Sequence, residues 1–161
     1  MENFAGPDRT TTTHVNFFPY RAARGGVPLT TPAGFGTMAL YNNANSQFNL
    51  LVREWAWQPG STSGWGFGYV NQRLPGTPGV VQPFIAGEAP PFGLVDYSSQ
   101  GSALPTDWSF GITTQNSGVM WQTEVPFAMI RPGWSLFIQH AVIAIAVAGG
   151  FIWEAINTVE V

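Results

Sequence analysis

The sequence predicts an all-β protein, one antiparallel sandwich of short strands. Three observations lead there. Charged residues make up only 9 % of the 161, and aromatics 14 %, against about 25 % charged in ordinary soluble domains. Thr, Ser, Asn, Gln, Gly and Pro stand where the charges are missing. Nineteen glycines and thirteen prolines interrupt every long helical pattern. Between them, short apolar runs alternate with turn signals, giving roughly eight to ten strand candidates at sandwich-like spacing.

In order, residues 1–13 are polar and Thr-rich and read as an N-terminal arm; residues 14–161 read as the sandwich. "THVNFFPY" is a strand candidate, and "RAARGGVPLTTPAG" reads as the loop after it. "FGTMALYNN" and "FNLLVREWAWQPG" are strands around a polar turn. In the second, Leu51, Arg53, Trp55 and Trp57 fall on one face by alternation. "WGFGYVNQR", "VVQPFIAGEAPP", "TDWSFGITT" and "GVMWQTEVPF" follow. No fixed-period repeat is seen, which argues against propellers and solenoids.

The stretch "QHAVIAIAVAGGFIWEA" poses the choice between a membrane span and buried strands. Its strictly apolar part, Ala141 to Trp153, is shorter than the roughly 20 residues a spanning helix needs. It also contains Gly149-Gly150 and lacks a flanking basic cluster. The expectation is two strands, "SLFIQHAV" and "GGFIWEAINTVEV". "IAIAVA" is read as strand buried on both sides, with Ile143, Ile145 and Val147 on one face and the alanines on the other. The N-terminus has no basic region followed by an apolar one, so no secretory signal is read there.

Composition also bears on function. There is no cysteine, so disulfides and thiolate chemistry are excluded. The net charge is −3 without a basic cluster, which leaves nucleic-acid binding no electrostatic footprint. Lysine is absent and all six cations are arginine, the cation that best tolerates interfaces. His14 and His140 are the only histidines. With the scattered carboxylates they make no metal spacing. A paired-carboxylate hydrolase needs two of Glu54, Glu88, Asp96, Asp107 and Glu124 in one cleft, and nothing in the sequence brings two together. The expectation is no enzyme, no cofactor and no metal.

The aromatics are the most informative residues. In "SGWGFGYVNQ", Trp65, Phe67 and Tyr69 share one strand face and Gly64, Gly66 and Gly68 the other. Three readings are open. The aromatics face the core, with glycines permitting close backbone approach. Or they pack against another subunit. Or, with Trp55, Trp57 and Trp121, they stack on sugar rings.

"FAMIRPGWSLFIQ…GFIWEA" resembles the C-terminal end of small virion proteins of tailed bacteriophages. "ALYNNANSQFNLLVREWAW" is similar to that group's Asn-containing turn and following strand. "PFIAGEAPPFGLVDYSS" is similar to its long central connection. The likeness runs from about Gly36 onward, and "IQHAVIAIAV" departs from it, standing where the group has a more polar loop. The resemblance implies a single jelly-roll β-sandwich that works as a structural part of the virion, made in the host cytoplasm. It implies a head decoration or cement protein, often trimeric, or a part of a head fibre or tail. Expected partners are copies of itself, as a homotrimer, and the major capsid protein or other virion subunits, without nucleic acid or a membrane span. The alternative is a carbohydrate-binding module, in which a glycan is the partner.

Overall fold

The structure is a computed structural model. It describes residues 22–87, 92–106, 108–113, 119–122 and 127–157, with the backbone alone for 108–113 and 119–122. The expected arm 1–13, the strand "THVNFFPY" and His14 lie outside these residues.

Twelve strands are described: β1 (Ala22–Thr30), β2 (Phe35–Tyr41), β3 (Phe48–Pro59), β4 (Ser63–Val70), β5 (Thr77–Pro78), β6 (Val80–Pro83), β7 (Leu94–Gln100), β8 (Trp108–Thr113), β9 (Val119–Gln122), β10 (Ala128–Ile130), β11 (Ser135–Ile143) and β12 (Val147–Asn157). They form two antiparallel sheets, in the orders β10-β3-β12-β1-β6, with β9 also on β3, and β5-β7-β2-β11-β4-β8. The all-β sandwich read from the sequence is the observed class. The pairs nest: β1 with β12, β2 with β11, β3 with β10, β4 with β8. A long hairpin wrapped so that its strands alternate between two sheets gives this order, which is compatible with a jelly roll. The unit β5–β7 is inserted between β4 and β8 and extends both sheets.

The main core lies between the sheets. Met38, Leu40, Leu136 and Ile138 project from one side, and Trp55, Trp57, Phe151 and Trp153 from the other. A smaller core of Ala39, Leu74 and Phe137 sits on the outer face of the second sheet. The segments above it are tied down by polar contacts. Arg73 makes two hydrogen bonds to Asp96, the hydroxyl of Ser135 donates to the Gln72 carbonyl, and the Leu104 amide donates to Gln139. Strand β11 is therefore buried on both faces from Ser135 to His140. Asn42, fully buried, closes the β2–β3 turn by donating to the carbonyls of Phe48 and Ile130.

Four sequence expectations need correction. "IAIAVA" is not one doubly buried strand: exposed Ile143 ends β11, Ala144 turns the chain at φ 59°, and Val147 begins β12. The doubly buried strand is its neighbour, which has a second layer above it. "AARGGVPLT" is not part of a loop but β1, and its Gly-Gly pair lies inside the strand. "LVDYSS", expected within a connection, belongs to β7. Finally, Leu51 and Arg53 do not share a face with Trp55 and Trp57. β12 pairs Ile152 with Glu54 but Trp153 with Val52, so Arg53 is an extra residue, a β-bulge. The bulge shifts the side-chain phase by one. Leu50 and Val52 point inward before it, and Trp55 and Trp57 after it.

Candidate functional site, a glycine-floored trough

Four of the six aromatics singled out in the sequence are interior residues. Trp55, Trp57, Trp65 and Phe67 are 0–5 % exposed. Trp55 stands edge-on to Trp65 and Phe67 at centroid distances of 5.3 and 4.8 Å. Tyr69 is half-buried against the same core. Trp55, Trp65 and Phe67 pack on one another and Trp57 on His140, which leaves these four buried rings no surface for a sugar or a second subunit. Trp121 pairs with Trp55 along the backbone of β9; its side chain is outside the described residues. The glycine face of β4 has the steric role read from the sequence. A Cβ at Gly68 would lie 2.5 Å from the Phe137 ring.

The polar candidates are dispersed. Asp96, 1 % exposed, accepts from Arg73 at 2.7 and 2.8 Å, and this hydrogen bonding holds the Arg73 guanidinium above its usual pKa. Glu88, Asp107 and Glu124 lie outside the described residues. His140 is buried between the sheets, with its ring 4.9 Å from that of Trp57. Burial pushes its imidazole down from 6.5 to about 4, with the Gly64 and Ala146 carbonyls acting in the opposite direction. A neutral histidine sealed among aromatics is not placed to exchange protons with a substrate. Among the described residues, no three of His, Asp and Glu come together as a metal site would require. No helix among them is long and apolar enough to cross a membrane.

Among the described residues, a trough of about 630 Å³ faces outward across β6, β1, β12 and β3. Register builds it from two cross-strand rows. The first is Val80, Gly26, Gly150 and Ala56, each directly beside the next. With no side chain larger than a methyl on three of its four positions, this row is the floor. The second is Gln82, Arg24, Ile152 and Glu54, again in direct register. It forms a wall two residues along each strand, on the same face.

The floor is bare for a local steric reason. A Cβ at Gly26 would lie 2.5 Å from the Gly149 carbonyl, and one at Gly150 would lie 2.7 Å from that of Gly25. The wall carries a cation, an anion and an amide. Among the described residues, Arg24 and Gln82 make no side-chain hydrogen bond or ion pair. Of the four wall residues, the sequence reading weighed only Glu54, and as a hydrolase carboxylate. Arg24, Gln82 and Ile152 were missed. The one legible signal was the pair of Gly-Gly dipeptides, 25–26 and 149–150, which prove to lie side by side.

No protein-family model, no curated protein and no solved structure matches the chain.

Proposed function

We propose that the chain is a structural virion protein, most simply a head decoration protein that binds the capsid as a homotrimer and performs no catalysis. The observation that carries this is where the protein leaves its large apolar side chains exposed. Phe84, Ile85, Phe92, Leu94 and Trp134 are 38–48 % exposed, and all sit at one end of the sandwich. That end holds the Tyr41–Leu94 pair and the Asn42–Trp134 backbone contact. Leu29, Val142 and Ile143, more than half exposed, sit at the opposite end. Both sheet ends thus present apolar surface, while charge is sparse over the whole chain. Clustered exposed apolar residues mark association surfaces.

The polar chemistry agrees with this reading, because the buried carboxylates of Asp96 and Glu154 are engaged by Arg73 and Arg53 as internal ties. A subunit that binds only the assembled shell stabilises that shell by mass action. The glycan-stacking alternative through Trp55, Trp57 and Trp65 loses its platform, since those rings are enclosed.

The test is size-exclusion chromatography with light scattering on the full chain, followed by co-sedimentation with heads lacking their decoration. A discrete trimer that sediments with heads, and loses both properties in Phe92→Ser/Trp134→Ser, is the expected result. A monomer at every concentration that stays in the supernatant overturns the reading.

A further inference from the structure

One end of the outer face of the first sheet is dry, although no described strand lies over it. Ala22, Glu154 and Asn49 alternate with the inward-pointing Ala23, Trp153 and Leu50, so their side chains point away from the main core. All three are nevertheless buried, at 0, 1 and 5 % exposure. The outward face of an antiparallel sheet is ordinarily wet, and carboxylates are almost never fully buried unless paired. Arg53 supplies the partner of Glu154; the cover has another source. All twelve described strands belong to the two sheets, and the second layer around Leu74 lies on the other sheet.

The trough begins in the next row along the same face, at Arg24, Ile152 and Glu54, so dry row and trough are one continuous surface. The chain itself leads to it. Twenty-one residues precede Ala22, and Arg21 alone separates Ala22 from the strand candidate "THVNFFPY" with its Val15, Phe17, Phe18 and Tyr20. Apolar side chains suit a floor of Gly26, Gly150 and Ala56 beside Ile152. A peptide backbone also brings amides and carbonyls to the polar groups next to them. Pro19 is a turn residue, able to reverse the chain ahead of β1. At about 3.3 Å per residue, His14 to Phe18 cover about 16 Å of strand length, against about 13 Å from Ala22 to Gly26. A segment tethered this closely meets the face at an effective concentration far above that of a free partner.

We propose that residues 13–20 of the same chain dock on the outer face of β1, β12 and β3. The chain reverses at Pro19–Arg21, Phe17 and Phe18 cover the Ala22–Glu154 row, and Val15 enters the glycine-floored trough. The docking holds whether or not the protein binds a capsid.

The experiment is paramagnetic broadening in NMR spectra of the full chain. With no native cysteine, Gln82→Cys or Pro28→Cys carries a single nitroxide at an exposed position on the trough. Gly101→Cys carries it at the end of β7 in the other sheet. The amide signals of Val15 to Phe18 should lose most of their intensity with either trough label and keep it with Gly101→Cys. Adding Phe17→Ser/Phe18→Ser should restore that intensity while the dispersed strand signals stay in place. Mixing nitroxide-bearing chains with isotope-labelled chains that carry no nitroxide should leave the signals of the latter intact. Broadening in that mixture assigns the segment to a second copy, and the proposal fails. Full intensity with both trough labels, in chains whose strand signals remain native, overturns it as well. So does broadening that survives the double serine variant, because the apolar side chains then do not hold the segment.

Discussion

Arg53, the β3 residue that the backbone register with β12 skips, donates to the buried carboxylate of Glu154 on β12 at 2.9 Å. Glu154 is 1 % exposed, and the Arg53 side chain only 17 %. The bulge therefore both shifts the tryptophans inward and supplies the cation that neutralises a carboxylate on the opposite face. Deleting one member of such a pair leaves the other charge desolvated. Glu154→Ala is expected to lower stability by about 3 kcal/mol, and Arg53→Ala by a similar amount. Urea unfolding midpoints check this; a change within error for both would show that the pair is solvated in solution.

His140 makes stability depend on pH. Its folded pKa, about 4, lies below the ordinary 6.5, so between these values the unfolded chain binds more protons than the folded one. Stability therefore falls as pH drops from about 6.5 toward 4 and loses this slope below that. The loss is on the order of 3 kcal/mol. His140→Phe should remove this part of the pH dependence. Melting temperature against pH for the two proteins is the measurement; parallel curves would contradict the buried, neutral imidazole.

Arg73 and Asp96 clamp the segment that covers Ala39, Leu74 and Phe137. The Asp96 carboxylate is buried while the Arg73 side chain is 42 % exposed, so water softens the effect of deleting the cation. Arg73→Ala is expected to lower stability by about 1–2 kcal/mol and Asp96→Asn by a comparable amount. Faster amide exchange at Leu74, with unchanged exchange in β12, would locate the effect in the clamp. Uniform exchange throughout would mean that the segment does not open independently.

The glycines divide by what surrounds them. At Gly26 a methyl group meets the Gly149 carbonyl at 2.5 Å, while at Gly101 it meets nothing within 4 Å. Gly26→Ala is expected to destabilise by about 1–3 kcal/mol. Gly101→Ala should be neutral or stabilise by about 0.5 kcal/mol through the unfolded chain. Calorimetric melting of the two single variants decides it, and equal effects would mean that β1 and β12 can separate without penalty.

Composition and turn spacing are local properties, and they were enough for the β class, for most of the strands, and for rejecting a spanning helix at Ala141–Trp153. The aromatic/glycine alternation of β4 was legible for the same reason, since period-two patterning is written in neighbouring residues. The register between strands distant in the chain is not local. Nothing beside Arg53 announces that β12 skips it, so the phase of Trp55 and Trp57 was assigned to the wrong partners. Gly25-Gly26 reads as a turn until Gly149-Gly150 is placed against it. The trough depends on register most of all. Arg24, Glu54, Gln82 and Ile152 become one row only when four strands from opposite ends of the chain are aligned. That alignment is set by packing of the inner face, where Trp153, Phe151 and Trp55 find their neighbours, and the outer row follows from it.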